Sequence, residues 1–162
     1  MMGSLTMKPE KTNVMRILDQ NNVEYQAHSY NSEEAISGIE VATALNQNPE
    51  QVFKTLVTVG ASKNNYVFVV PVCCELNLKK AAKAVSEKSI EMIKAKELLP
   101  LTGYIHGGCS PIGMKKFFTT VIDETAELFD TIIFSGGKIG YQVEVSIENL
   151  QKVIEFKLED IT

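Results

Sequence analysis

Two runs dominated by β-branched and aromatic residues, Phe53–Val59 and Tyr66–Val72, are separated by Gly60-Ala61-Ser62-Lys63-Asn64-Asn65. Side chains branched at Cβ are stiff and pack well on a pleated surface. Two such runs joined by a short polar loop with glycine and asparagine read as an antiparallel hairpin. A hairpin at the centre commits the chain to a sheet, so its flanks decide the class. Thr12 to Asn21 carries Val14, Ile17 and Leu18 at helical spacing and stops at Asn21-Asn22, which predicts a helix. Tyr25 to Tyr30 alternates as a short strand does. Ser37 with Glu40 three residues later is the pattern of a capping box, opening a helix through Val41, Ala42 and Leu45 that ends before Asn48-Pro49.

Beyond the hairpin, Leu76–Ala84 and Lys94–Leu99 are rich in helix formers, and Pro100 is expected to close the second. Phe117–Ile122 reads as a strand, Glu124–Phe129 as a short helix, and Thr131–Phe134 and Gly140–Val145 as strands. Ser146 would cap a helix over Ile147–Val153, with a last strand near Ile154–Phe156. Hairpins mixed with single helices are not a regular βαβ series. The expectation is one α+β domain, a mixed, barrel-like β-sheet surrounded by helices, over residues 8–162, with residues 1–7 as a ragged tail.

The chain has 162 residues, 44% of them apolar and 22% charged, with a net charge of −4. No stretch approaches the ~18 apolar residues of a membrane helix, the apolar fraction is too high for a disordered chain, and an acidic total argues against a general DNA or RNA binder. The charge is uneven, however. Between Lys79 and Lys116 eight lysines face three acids, a balance of +5 that leaves −9 for the rest. A segment of this kind is either a footprint for a polyanion or a set of lysines on solvated helix faces. The three cysteines, Cys73, Cys74 and Cys109, make no disulfide framework, and the first residues lack the apolar stretch of a secretion signal. The chain reads as cytoplasmic and reduced.

Three features suit chemistry. Lys54 interrupts an apolar strand, so it either snorkels to solvent or points into a polar cavity that receives an anion. Gly107-Gly108-Cys109-Ser110-Pro111-Ile112-Gly113 is a loop whose glycines let backbone N–H groups face a carbonyl oxygen or a phosphate, though it has neither the phosphate-loop ending nor the nucleophile-elbow spacing. Ser135-Gly136-Gly137-Lys138-Ile139-Gly140 is a second glycine cluster between strands, which a bulged hairpin also explains. Cys109 with His28 or His106 suggests a thiol hydrolase, but no third orienting group is evident. Cys73-Cys74-Glu75 reads as core rather than as a zinc site, since further ligands are missing. No metal and no cofactor is expected.

Taken in order, Asn48-Pro49-Glu50-Gln51-Val52 before Phe53-Lys54-Thr55-Leu56, then Leu78-Lys79-Lys80-Ala81-Ala82-Lys83, Thr102-Gly103-Tyr104, the 107–116 loop and Ser135-Gly136-Gly137-Lys138 resemble the YbaK/EbsC family, freestanding relatives of the editing domain of prolyl-tRNA synthetases. The resemblance runs from about Val14 to Ile161, and is stronger to the branch that deacylates Cys-tRNA(Pro) than to the alanine-editing branch. It implies that Lys54 is the residue required for activity, and that Tyr30, Thr55, Gly107, Gly108, Ser110, Pro111 and Ser135 are pocket positions. It also implies a reaction without a protein nucleophile, in which the thiol of the misattached cysteine attacks its own ester. The partners it implies are aminoacyl-tRNA, with tRNA(Pro) foremost, and prolyl-tRNA synthetase in a transient complex, with no membrane and no DNA. Two departures are visible. Cys109 stands where the family loop often has an aliphatic residue, and Gln142 where the branch has an aspartate, with Glu144 as a substitute only if strand register allows it. The alternatives are a deacylase for another mischarged tRNA such as Ala-tRNA(Pro), and a non-catalytic module that binds tRNA or a synthetase.

Overall fold

The computed structural model describes residues 11–33, 35 and 37–162. The tail expected over residues 1–7 lies outside them. Helix α1 (Asn13–Gln20) is capped by Thr12, whose Oγ1 accepts the Met15 N–H at 3.3 Å, and it buries Val14, Met15 and Leu18. Strand β1 (Gln26–Ser29) follows, then α2 (Gly38–Ala44). The capping box of α2 forms as expected: Glu40 N–H donates to Ser37 Oγ at 3.1 Å, and Ser37 N–H donates to the Glu40 carboxylate at 3.0 Å. The central hairpin is β2 (Phe53–Gly60) and β3 (Asn65–Pro71), in a register that sets Phe53 opposite Pro71 and Val59 opposite Asn65.

The remaining elements are α3 (Leu78–Ala84), β4 (Ile90–Met92), α4 (Ala95–Thr102), β5 (Thr119–Asp123), a 3-10 turn at Glu124–Leu128, β6 (Ile132–Ser135), β7 (Tyr141–Val145), α5 (Ile147–Leu150) and β8 (Lys157–Glu159). Three differ from expectation. Strand β4 carries no alternation to announce it and exists because it completes the edge of β2, with Met92 opposite Thr58 and Ile90 opposite Gly60. Pro100 does not end α4. The ring forfeits the N–H of one turn, but the helix runs on to Thr102 and closes at Gly103, in the left-handed region at φ +85, whose N–H reaches Leu99 O at 2.9 Å. The last strand starts at Lys157 because Val153 and Ile154 still donate to Leu150 O, both at 3.1 Å, and so belong to the turn after α5.

The strands form two sheets. One is antiparallel, in the order β1-β7-β6. The other is mixed, in the order β4-β2-β3-β5-β8, with β3, β5 and β8 mutually parallel. A single parallel bridge, Val52 to Ile133, joins them, reinforced by Ile133 N–H donating to Gln51 O at 3.0 Å. The barrel-like sheet expected from the sequence is thus two sheets meeting along one seam. Their facing sides share the main core with α1, through Leu18, Phe53, Val57, Val69, Phe134 and Val143. The outer face of the five-stranded sheet holds a second core with α3, built on Phe68, Val70, Ala81 and Val121. A third cluster, Ala42, Val52, Val72 and Ile133, fills the seam beneath α2. Val67 to Val70 of β3 are wholly buried, as a strand packed on both faces must be. Among the described residues no helix is long and apolar enough to cross a membrane.

Candidate functional site

A cavity of about 360 Å³ opens where the two sheets meet. Its walls come from four places: the first turn of α2 (Ser37, Gly38, Ile39, Val41), the start of the central hairpin (Val52 to Leu56, with Val72), the first glycine loop (His106, Gly107, Cys109), and the β6–β7 pair (Phe134, Ser135, Tyr141, Gln142). Tyr30 and Leu98 complete the rim. The size suits a small acyl group with part of a sugar. The α2 contribution was not anticipated. Its signal was the glycine directly after the cap: a Cβ on Gly38 would stand 2.5 Å from Val72 Cγ1, so only glycine lets α2 lie this close to the seam.

Lys54 and Thr55 sit side by side on β2 with side chains alternating to opposite faces, and both line the cavity. Lys54 is half-buried and has no hydrogen bond or ion pair among the described residues. Thr55 faces the main core with Phe53 and Val57, and its Oγ1 is the buried side-chain oxygen or nitrogen left without a partner among the described residues. An unpaired buried hydroxyl is unfavourable on its own. Here it and a partnerless ammonium border one cavity, and no carboxylate lines that cavity among the described residues. Such a wall favours oxygen-rich, electron-rich groups.

The two glycine clusters converge as well. Gly107 lines the cavity with φ +88, while Gly108 packs on the other cluster, where an added Cβ would meet Ile139 N at 3.2 Å. Gly108, Ser110 and Pro111 do not reach the cavity. The Gly108 N–H is taken by Ile105 O at 3.0 Å, and Ser110 is wholly buried with its Oγ accepting from Ile112 N–H at 3.3 Å. Pro111 is buried beside it. These residues shape the loop from behind. In the second cluster Ser135 Oγ accepts the Gly137 N–H at 3.1 Å, which leaves its own proton to donate into the cavity.

Cys109 is 9% exposed, and burial pushes its thiol up to about 12. The thiol therefore stays protonated at neutral pH; His28 is held by Glu144, and among the described residues no hydrogen bond joins either histidine to Cys109. The same burial, with Cys109 as the next cause, raises Tyr104 to about 12, and the Tyr104 hydroxyl donates to Ile112 O. Gln142 lines the cavity but is paired by both ends of its amide with Gln47: Gln47 Nε2 donates to Gln142 Oε1 at 2.8 Å, and Gln142 Nε2 to Gln47 Oε1 at 3.2 Å. Glu144 does not replace it. Two residues along β7 it is held by His28 at 2.8 Å and by the Thr131 hydroxyl at 2.5 Å, away from the cavity. Burial raises the Glu144 carboxyl, but these hydrogen bonds and the His28 charge outweigh it, and the net shift is downward.

The basic segment is largely unspent. Lys80 fastens the C-terminus through Asp160 at 2.9 Å and Thr162 O at 2.8 Å. The other seven lysines of the segment are exposed and form no ion pair among the described residues. No group of three or more His, Cys, Asp or Glu is placed to hold a metal ion among the described residues.

With this geometry in place, the comparisons are specific. Residues 33–153 match the aminoacyl-tRNA editing domain. A protein of Enterococcus faecalis, provisionally named Cys-tRNA(Pro)/Cys-tRNA(Cys) deacylase EbsC, is 44% identical over 154 residues, covering 94% of each chain. Among solved structures, a protein provisionally described as a trans-editing enzyme for prolyl-tRNA synthetase superposes with a TM-score of 0.81 at 21% identity, over 97% of this chain and 99% of that one. A hypothetical protein of unassigned role gives 0.80 at 20% identity, over 94% and 99%. At these identities the two structures speak for the fold.

Proposed function

Because the chain belongs to the aminoacyl-tRNA editing domain family, we propose that it is a trans-editing deacylase that clears mischarged tRNA, with Cys-tRNA(Pro) as its main substrate, in the cavity at the sheet seam. The observation that carries this reading is the pairing of an unsatisfied Thr55 hydroxyl with a partnerless Lys54 in a cavity lacking an ionised nucleophile. The name provisionally given to the E. faecalis relative is that of a deacylase for the same substrate class.

The chemistry follows from what the cavity has and lacks. Cys109 is protonated, and the Ser135 and Ser37 oxygens accept backbone N–H groups rather than meeting a base. The family resemblance then supplies the nucleophile, the substrate's own thiol. Its sulfur bonds to the ester carbonyl carbon, the carbonyl–ribose C–O bond breaks, and the proton given up by the thiol ends on the ribose oxygen. The products are a cyclic thiolactone and free tRNA. Holding thiol and carbonyl in one conformer supplies a large effective concentration. Lys54 would stabilise charge developing on oxygen, and Thr55 Oγ1, which has no partner among the described residues, would exchange a hydrogen bond with the bound substrate. The exposed lysines between 79 and 116 match the phosphates of an acceptor stem.

The test is release of labelled amino acid from Cys-tRNA(Pro), Ala-tRNA(Pro) and Ser-tRNA. Cys-tRNA(Pro) is expected to be cleared fastest, Ser-tRNA far more slowly because a hydroxyl is a far poorer nucleophile than a thiol, and Ala-tRNA(Pro), whose side chain offers no nucleophile, slowest. No clearance of any of the three would end the proposal, and preference for Ala-tRNA(Pro) would transfer it to the alanine-editing activity. Two variants refine it. Cys109→Ala is expected to keep activity, and its loss would restore the thiol-hydrolase reading. Thr55→Val, which keeps the shape and removes the hydroxyl, is expected to lower kcat/KM by about tenfold without lowering the unfolding midpoint.

A further inference from the structure

Cys73 and Cys74 were expected in the core, but the structure puts them at the surface. Cys73 is exposed and Cys74 half-buried. They occupy the last two positions of a turn closed by Cys74 N–H donating to Pro71 O at 3.0 Å, and their sulfurs lie 3.9 Å apart. The turn holds both thiols on one side of the backbone although they belong to neighbouring residues.

Their spacing discriminates between reactions. A disulfide needs sulfurs at ~2.05 Å and Cα atoms at ~4.4–6.8 Å. Neighbouring Cα atoms across a trans peptide are only ~3.8 Å apart, so a bond between these two is strained and readily reduced. A single thiophilic atom bridging both sulfurs requires no such compression. The surroundings select the reagent further. Burial first, then Cys73 and the carboxylates of Asp123 and Glu50, raise the Cys74 thiol. An acidic neighbourhood disfavours anionic electrophiles and leaves neutral ones unhindered.

We propose that Cys73 and Cys74 form a dithiol site that captures one thiophilic atom of trivalent-arsenic type, and that capture impairs the neighbouring cavity. The reaction balances without any oxidant: an arsenoxide and two thiols give a cyclic dithioarsenite and one water, with both thiol protons leaving in that water. The link to the cavity is Val72, the residue before Cys73. It lines the cavity, donates its N–H to Val52 O at 2.8 Å at the open end of the β2–β3 hairpin beside the seam, and packs within the space that Gly38 leaves open. Closing a ring over the turn pulls on that residue. This last step rests on the function proposed above, while the capture itself does not.

The probe is phenylarsine oxide, added to the whole chain and followed by intact mass and by maleimide counting of the remaining thiols after denaturation. One adduct per chain is expected, leaving only Cys109 to react with maleimide. A chelate should withstand a monothiol roughly 100-fold better than a single thiol adduct, yet yield to a dithiol. Cys73→Ser and Cys74→Ser should each abolish that resistance. Resistance that survives in either variant, or a wild-type adduct stripped by monothiol, overturns the site. Deacylation of Cys-tRNA(Pro) should fall in the arsenical-treated wild type and stay unchanged in treated Cys73→Ser. A retained adduct with full activity overturns the link to the cavity. A retained adduct on a chain with no deacylation even before treatment overturns the function and leaves the dithiol assignment standing.

Discussion

Lys54→Ala is expected to lower kcat/KM for Cys-tRNA(Pro) by about 100-fold or more while leaving the fold intact, because a preorganised charge facing the reacting oxygen is among the largest single contributions a site can make. Lys54 is the cationic side chain on the part of β2 that lines the cavity, and no described residue neutralises it. On the proposed mechanism its positive charge is available to substrate oxygens. Removing it takes no ion pair out of the folded protein, so urea unfolding should be unchanged or slightly improved. Lys54→Arg tests geometry rather than charge. A planar guanidinium does not reproduce a compact ammonium, and partial recovery at most is expected. Wild-type rates in Lys54→Ala would remove Lys54 from the reaction.

Gly137→Ala is expected to destabilise the protein by about 2–4 kcal/mol, combining left-handed backbone strain with overpacking. Gly137 has φ +93, and a Cβ there would stand 2.7 Å from Val14 Cγ2 and 3.3 Å from Tyr104. Val14 is wholly buried in α1 and cannot yield without moving the helix. Gly140 supplies the contrast. Its φ is +97, but an added Cβ meets only Tyr30 O, at 3.5 Å. Gly140→Ala should therefore lose only the strain, about 1–2 kcal/mol. Chemical denaturation of both variants measures the difference, and equal losses would mean that the contact with α1 is not what fixes the second glycine turn.

How far the sequence reached can be seen at particular residues. The capping box at Ser37 and Glu40, the central hairpin and the turn residues of both glycine clusters were legible because their signals are local. Strand β4 was not, since three residues carry no period and are set by the free edge of β2. Pro100 misled because losing one N–H is tolerable near a helix end that Gly103 already fixes. In the site, Lys54 stood out as a charged residue in an apolar strand and Thr55 only through the family resemblance, and both line the cavity. The retreat of Ser110 and Pro111 behind the loop could not be read, because which side of a loop faces a cavity depends on tertiary packing. Nor could the pairing of Gln142 with Gln47, which are 95 positions apart.

The bridge between Val52 and Ile133 gives the cavity a mechanical character. Elsewhere the strands are tied by continuous ladders, but at the seam, among the described residues, backbone pairing thins to one bridge and a few hydrogen bonds, and the shared core does the rest of the joining. The seam therefore runs along the cavity itself. Widening it would pull Phe53, Val57 and Val69 of one sheet away from Phe134 and Val143 of the other, so packing fixes the distance between the wall residues of β2 and those of β6 and β7. On the proposed function, selectivity for the amino acid would rest on that fixed span, as a gauge set by the packing of the seam.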